Sequence, residues 1–225
     1  MSTPGFVRFD YVVAEATQAR AFHTKLFGWT LQRYIALLPG GPQKPHWLAY
    51  LQVGSAHEAA GKAKQLGGKV LREPFTHDGG KLAIALDPAN NVIAFWQPDT
   101  VHDVGWAHGA NEFCWAELYT TSPLPSATFM KKVAGFAETK LPMADGNYHM
   151  FERGGAPHAG ARKPMPGMPT GWFAWVSVDN VDAIVEHARS LGATITQPPA
   201  DMPNGARMAL LVDPLGVALG VIKSA

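Results

Sequence analysis

The chain has 225 residues, a length that suits one large domain or two compact ones of about 110 residues. Hydrophobic residues make up 47% of it, which is enough to build a core and argues against disorder. Nineteen basic and eighteen acidic side chains leave a net charge of +1, so composition excludes a general electrostatic attraction to nucleic acid or to a membrane. Because the sequence shows no long apolar stretch and no signal peptide, we expect a cytoplasmic protein.

The predicted secondary structure alternates short strands with a few helices. Runs of β-branched and aromatic residues bounded by Gly, Pro or Asn predict strands, and apolar spacing predicts helices. In the last helix, Val181, Val185 and Ala188 share one face, Asp179 or Asn180 caps the start, and Gly192 ends the helix. In the first half of the chain, the predicted elements are 6–13, 17–27 (helix), 30–38, 47–53, 56–66 (helix), 69–71, 82–86 and 92–97.

The chain contains an internal repeat. Three pairs of landmarks recur at a spacing of 125 or 126 residues: Trp47 and Trp172, Leu66 and Leu191, and Asp87 and Asp213. Nearer the start, Phe22 and Phe129 are 107 residues apart, so the first copy is shorter by about one hairpin. Each copy in turn contains two βαβββ-like units. We therefore predict an α+β fold of tandem βαβββ units with curled mixed sheets, divided into modules 1–98 and 111–225 by a linker, 99–110.

The ordered set of repeated motifs resembles the vicinal oxygen chelate superfamily, which includes glyoxalase I, extradiol dioxygenases and bleomycin-resistance proteins. The resemblance covers the whole chain apart from the linker. It implies that two βαβββ units build a curled sheet whose concave face holds the ligand. The motifs that carry it are Ala19-x-x-Phe22-His23-x-x-Leu26-Phe27-Gly28-Trp29, Leu191-Gly192 and Asp213-Pro214-x-Gly216.

Metal-dependent members of that superfamily place His or Glu ligands on the first and last strands of their units. None of the residues at these positions has an imidazole or a carboxylate: Arg8, Leu48, Trp115, Phe173, Ala94 and Gly220. We therefore predict no metal site and no other cofactor. The alternative is a divalent ion held unconventionally by His149 and His158 together with Glu152 or Glu117.

Strand alternation predicts which side chains line the concave faces. Arg8 and Asp10 form the sharpest polar pair: they bind an oxygen-rich ligand, or they form a salt bridge with each other. Glu117 is the candidate catalytic residue, a general base whose pKa is raised by apolar neighbours, or it only accepts a hydrogen bond from a residue such as Tyr148. The predicted ligand-binding residues are Arg8, Asp10, Tyr50, Trp96, Trp115, Tyr148, Phe173 and Trp175.

The sequence supports more than one function. The first hypothesis is a small-molecule-binding protein without the superfamily's usual metal, whose active module is the second copy because only that copy is complete. The alternative is a metal-dependent glyoxalase-like lyase or dioxygenase, so whether the protein is an enzyme stays open. We expect a small molecule as partner, and neither nucleic acid nor a membrane. The missing hairpin also leaves a sheet edge, which we expect to be covered either by the second module or by a second subunit in a homodimer.

Overall fold

The computed structural model describes residues 5–14, 16–29, 34–35, 44–100, 106, 109–166 and 168–225. Strands dominate the described part of the chain. In chain order the elements are β1 (Gly5–Val12), α1 (Ala16–Phe27), β2 (Tyr34–Ile35), β3 (His46–Gln52), α2 (Ala56–Gln65), β4 (Lys69–Thr76), β5 (Gly80–Leu86), β6 (Val92–Pro98), β7 (Glu112–Tyr119), α3 (Pro123–Ala134), β8 (Ala137–Met143), β9 (Gly146–Arg153), β10 (Ala156–Arg162), β11 (Gly171–Ser177), α4 (Val181–Ser190), β12 (Thr194–Asp201), β13 (Arg207–Val212) and β14 (Ala218–Lys223).

The strands form two curled mixed sheets, which confirms the predicted α+β fold of tandem βαβββ units. The six-stranded sheet has the order β2-β1-β3-β6-β5-β4, and the eight-stranded sheet has the order β12-β13-β14-β11-β7-β10-β9-β8. β2 pairs in parallel with β1, as β10 pairs in parallel with β7. The hairpin β8–β9 has no counterpart among the described residues of the first half. The first copy is thus shorter in the place that the repeat spacing predicted.

One predicted strand differs from the structure, and another lies mostly outside the described residues. Strand 30–38 is described only at Tyr34–Ile35, and its other residues lie outside the described part of the chain. Strand 69–71 was predicted too short, because β4 continues to Thr76 through Pro74. β4 is an edge strand, where a proline without an N–H breaks no inner ladder. Register shifts against β5 on either side of Arg72 accommodate the irregular segment.

The helices end where the sequence places their caps. In α4, the side chain of Asn180 accepts a hydrogen bond from the backbone N–H of Ala183, and Gly192 after the helix has a φ of +93°. α2 begins in the same way, with Ser55 accepting from the backbone of Glu58. No helix in the part of the chain that the structure describes has the length and apolarity needed to cross a bilayer.

The chain clusters into two compact units, and each unit takes segments from both copies of the repeat. The predicted module boundaries 1–98, 99–110 and 111–225 stay a prediction. The first compact unit comprises Met1–Phe9, Leu48–Trp106 and Ala116–Trp172, and the second comprises Asp10–Trp47, Ala107–Trp115 and Phe173–Ala225.

In the first compact unit, the repeated Asp-Pro turn joins the two copies. The side chain of Asp87 accepts hydrogen bonds from the backbone N–H groups of Ala89 and Asn91 and so holds the turn. The Asn91 amide nitrogen lies 3.2 Å from the hydroxyl oxygens of both Thr120 and Ser126, which belong to the second copy. The turn that the sequence shows only as a repeat landmark therefore also connects distant segments.

In the second compact unit, Asp213 has the equivalent role. One of its oxygens accepts from the backbone N–H groups of Leu215 and Val217, and the other accepts from the Tyr11 hydroxyl at 2.5 Å. His23 on α1 lies edge-on to the Tyr11 ring, and its Nε2 is 3.8 Å from Asp213. Burial lowers the pKa of His23 to about 4 and raises the pKa of Asp213. The aspartate thus joins a strand and a helix of the first copy to the last hairpin of the second.

Candidate functional site

A buried arginine between two aromatic rings forms the centre of one candidate site, in the first compact unit. Arg8 projects from β1, and its guanidinium carbon lies 4.3 Å from the ring centre of Tyr50 and 5.1 Å from that of Trp96. Tyr50 on β3 and Trp96 on β6 share one sheet face, because Tyr50 pairs in register with Ala94 and Gln52 with Trp96. The cation therefore stacks on two ring faces, a favourable arrangement when water is excluded. Only 11% of the Arg8 side chain is exposed.

The turn between β4 and β5 supplies the counter-charge of this arginine. Arg8 Nη1 donates a hydrogen bond to Asp78 Oδ2, and the Asp78 side chain is 58% exposed. Asp78 and Gly79 have φ values of 45° and 68°, which are typical of a two-residue type I′ turn. His77 Nε2 lies 3.4 Å from the Tyr50 hydroxyl oxygen. Sequence reasoning missed both His77 and Asp78.

The predicted polar partner of Arg8 on the same strand was Asp10. Asp10 is buried and lies two residues from Arg8, so it faces the same side of β1, but it belongs to the second compact unit. The structure brings Arg8, Tyr50 and Trp96 together as predicted neighbours and adds Asp78 to them. A role of Asp10 in ligand binding stays a prediction.

On the eight-stranded sheet, Glu117 and Tyr148 form a second polar group of the first compact unit. The Tyr148 hydroxyl donates to Glu117 Oε2 at 3.2 Å, which is the hydrogen bond that the sequence analysis offered as one alternative. Glu117 pairs in register with Gly160, and a Cβ at Gly160 would overlap the Tyr148 hydroxyl. Burial raises the pKa of Tyr119, and the nearby negative charge of Glu117 raises it further. Glu117 is therefore a buried carboxylate among tyrosines.

In the second compact unit, Trp175 covers a glycine on the neighbouring strand. Trp175 on β11 pairs in register with Gly220 on β14, and a Cβ at Gly220 would overlap the indole ring. Phe173 meets Trp175 edge to face, with ring centres 5.6 Å apart. Trp115 is half-buried on β7, two residues from Glu117 and on the same strand face. The predicted aromatic residues are thus present, and Trp175 packs on backbone.

The side chains at the superfamily's metal-ligand positions do not fit a divalent ion. Ala94 and Gly220 offer no donor atom, and the space above Gly220 is filled by the indole of Trp175. In the described ranges, no three or more His, Cys, Asp or Glu side chains gather closely enough to hold a metal. The residues at these positions therefore lack the donor atoms that the superfamily's metal ion needs.

The unconventional ligand set predicted as the alternative does not gather into one group among the described residues. His149 Nδ1 lies 2.6 Å from Glu138 Oε1, on the strand face opposite to Tyr148, because neighbouring residues of a strand face opposite sides. His158 Nε2 accepts a hydrogen bond from the backbone N–H of Phe6 at 2.7 Å. Burial lowers the pKa of His158 to about 4, so this histidine is a neutral acceptor within an aromatic cluster.

Two further histidines lie on or beside β3. His77 is half-buried, because the β4–β5 turn packs it beside Tyr50 and Phe75. His46 begins β3, and its Nδ1 lies 2.9 Å from the Lys44 carbonyl oxygen. Burial lowers the pKa of His46.

Tandem βαβββ units in curled sheets, with aromatic and charged side chains on the strand faces, define the vicinal oxygen chelate fold. Solved structures share this fold across the chain. A Mn(II)-bound glyoxalase from Novosphingobium aromaticivorans superposes with a TM-score of 0.69 at 13% identity, covering 99% of this chain and 82% of that one. The 2,3-dioxygenase LapB from Pseudomonas sp. KL28 gives 0.68 at 10% identity, covering 100% and 94%.

Sequence comparison agrees with the fold. Residues 115–221 match the model of the Glyoxalase/Bleomycin resistance protein/Dioxygenase superfamily. "Putative glyoxylase CFP32" of Mycobacterium tuberculosis is 28% identical over 250 aligned positions, covering 99% of this chain and 95% of that protein. The anthracycline biosynthesis protein DnrV of Streptomyces peucetius is 26% identical over 252 positions, covering 96% and 91%. The resemblance of this chain to the glyoxalase-like, vicinal oxygen chelate superfamily is therefore confirmed.

Proposed function

We propose that this protein binds a small aromatic molecule on the strand face that carries Arg8, and that it does so without a divalent metal. The observation that carries the proposal is the placement of the Arg8 guanidinium between Tyr50 and Trp96. Aromatic walls with a few well-placed polar groups are the usual composition of small-molecule sites. A fixed cation is also a poor neighbour for a divalent ion.

The comparisons support an organic ligand. Two relatives that match almost the whole chain, DnrV and DauV, are named for anthracycline biosynthesis. The side chains at the metal-ligand positions support a metal-free site, since Ala94 and Gly220 cannot coordinate an ion. In this proposal Arg8, Tyr50 and Trp96 contact the ligand directly.

The experiment is a fluorescence titration of the protein after treatment with EDTA, with salicylate, salicylamide and catechol as aromatic probes. We expect at least one probe to change the tryptophan emission in a saturable way without added metal. Trp96→Phe should weaken that response, whereas Trp175→Phe, a matched change in the second compact unit, should leave it in place. A titration that stays flat with all three probes, or that responds only after addition of Mn(II), contradicts the proposal.

A second candidate is a metal-dependent glyoxalase-like lyase or dioxygenase. The name of the Mycobacterium tuberculosis relative, which aligns over 99% of this chain, favours it. Glu117, held by the Tyr148 hydroxyl, is the residue that would act as general base. The measurement is metal content after passage over a desalting column: one bound ion per chain, together with glyoxalase or dioxygenase turnover, would favour this candidate over the first.

We also propose the homodimer that the incomplete first copy predicts. β2 lies at an edge of the six-stranded sheet and spans two described residues. Unpaired backbone groups at such an edge favour pairing with another chain. Light scattering across a range of protein concentrations would detect the dimer, and a constant monomer mass at all concentrations would contradict it.

A further inference from the structure

We propose that the Arg8 guanidinium is an anion-binding centre, and that the Asp78 carboxylate occupies it until an aromatic ligand that carries a carboxylate takes its place. This inference rests on the proposed function and specifies the ligand class of the same site. It also follows from the disagreement between the fold and its metal. Where the superfamily places a metal ligand on the first strand, this chain has a permanent cation, Arg8.

The Arg8 guanidinium can bind two oxygen atoms of one ligand. A planar guanidinium fork binds two neighbouring oxygen atoms side by side, as in bidentate pairs with carboxylates. In this protein the plane is fixed by the Tyr50 ring at 4.3 Å and the Trp96 ring at 5.1 Å. An incoming carboxylate therefore meets a donor group whose orientation is already set.

The charge of Arg8 restricts the ligand class. The Arg8 side chain is 11% exposed, and a cation removed from water in this way needs a nearby negative charge. Asp78 supplies that charge in the structure. A neutral ligand that displaced Asp78 would cost the guanidinium the ion pair with Asp78 and give no charge in return, whereas an anionic ligand replaces one carboxylate by another. Anionic aromatic molecules are therefore favoured over neutral molecules of the same shape.

Asp78 is well placed for such an exchange. Its side chain is 58% exposed, so the carboxylate is taken up by water when it leaves Arg8. The turn that carries it is held by backbone hydrogen bonds, from His77 N–H to the Gly80 carbonyl at 2.9 Å and from Asp99 N–H to the Gly79 carbonyl at 2.8 Å. The turn therefore keeps its shape when the Arg8–Asp78 pair opens.

The test compares salicylate, an aromatic carboxylate, with salicylamide, its uncharged counterpart, by calorimetric titration of the full-length protein without added metal. The wild-type protein should bind salicylate at least about tenfold more tightly than salicylamide, because only the former replaces the lost ion pair. Asp78→Asn removes the competing carboxylate and should tighten salicylate binding roughly two- to fivefold, as expected for an exposed ion pair. The same variant should not tighten salicylamide binding.

Two further variants complete the experiment. Arg8→Lys keeps the charge but loses the planar fork, and it should weaken salicylate binding at least about tenfold. Asp145→Asn is the matched control: Asp145 is another largely exposed aspartate of the first compact unit that pairs with an arginine, Arg162, at 3.5 Å. It should leave the affinity for salicylate unchanged. Thermal unfolding of each variant establishes that it is folded.

Each outcome separates this inference from the proposed function. Equal binding of salicylate and salicylamide that still depends on Trp96 would overturn the anion-binding centre and leave the aromatic site standing. Weaker or unchanged salicylate binding in Asp78→Asn would show that Asp78 does not compete with the ligand, and so would overturn the exchange. If the wild-type protein binds none of salicylate, salicylamide and catechol, the proposed function itself is contradicted.

Discussion

The two sheets fill the same position of the repeat in different ways. In the six-stranded sheet, Ala94 pairs with Tyr50, and the Arg8 cation lies over the ring of that tyrosine. In the eight-stranded sheet, Gly220 pairs with Trp175, and the indole itself covers the glycine. A position that serves metal binding elsewhere in the superfamily is therefore occupied once by a charge and once by a ring. In our proposal Arg8 exchanges its carboxylate partner, whereas the Trp175 ring packs on the Gly220 backbone.

The largest expected effect comes from adding one methyl group under that ring. Gly220→Ala places a Cβ into the buried indole of Trp175 and should cost about 3 kcal/mol of unfolding free energy, because the ring has no room to move. Gly160→Ala meets the hydroxyl and two ring carbons of the half-buried Tyr148, whose outer end can shift, so its cost should be smaller, about 1 kcal/mol. Urea unfolding measures both values.

The control for this comparison is Gly61→Ala. Gly61 lies within α2, and a Cβ there meets nothing within 4 Å. The substitution should raise the unfolding free energy by about 0.5–1 kcal/mol, because alanine favours the helix over glycine. Equal costs for Gly220→Ala and Gly160→Ala would mean that the indole of Trp175 is as free to move as Tyr148, which would contradict a fixed packing role for that ring.

The next effect in size is a loss of unfolding free energy in acid, about 2 kcal/mol, which we expect from the buried His158. Burial holds the pKa of His158 at about 4 in the folded protein, against an ordinary value of 6.5. Between these values the unfolded chain binds a proton that the folded chain does not, so stability present at neutral pH is lost as the pH falls. At pH 5 the loss from His158 should be about 2 kcal/mol.

His158→Gln sharpens this prediction, because its amide oxygen can accept the Phe6 N–H bond that Nε2 accepts in the wild type. The variant should lose less stability than the wild type between pH 7 and pH 5 in urea unfolding experiments. His57→Gln, on the exposed side of α2, is the matched control and should behave as the wild type does. An unchanged acid dependence in His158→Gln would show that this histidine is not the buried neutral acceptor described above.

The smallest expected effects concern the tyrosine hydroxyls of the two sheets. Tyr148→Phe removes a hydrogen bond to the buried Glu117 and should cost about 1 kcal/mol of unfolding free energy. Tyr50→Phe removes the long contact of 3.4 Å to His77 and should cost a few tenths of a kcal/mol. Thermal unfolding of the two variants in parallel checks the order. A larger cost for Tyr50→Phe would contradict the expectation that Tyr148 makes the stronger hydroxyl contact.

Most of the architecture could be predicted from the sequence because it depends on local patterns and on the repeat. The cap at Asn180 and the break at Gly192 end α4 where the residue types require it. The repeated Asp87 and Asp213 locate the turns before the last strand of each copy. β4 was underestimated because its proline suggests a break, and only its place at a sheet edge permits it.

The candidate site was predicted less completely, since its contacts join distant parts of the chain. Strand alternation places Arg8, Tyr50 and Trp96 on concave faces, and the structure brings these three together. Strand alternation does not indicate Asp78, which is 70 residues from Arg8 and reaches it from a turn. The Asp-Gly pair was a visible hairpin signal, and it could have placed His77 and Asp78 at a tip beside the strands.

The two Asp-Pro turns bear on how the chain folds. Asn91, beside Asp87, reaches two hydroxyl groups of the second copy, and Asp213 accepts from Tyr11 of the first copy, so each compact unit combines segments that are far apart in the chain. Contacts between distant segments form slowly, because the chain between them must be ordered first. Expressing 1–98 or 111–225 alone should therefore give an aggregation-prone fragment.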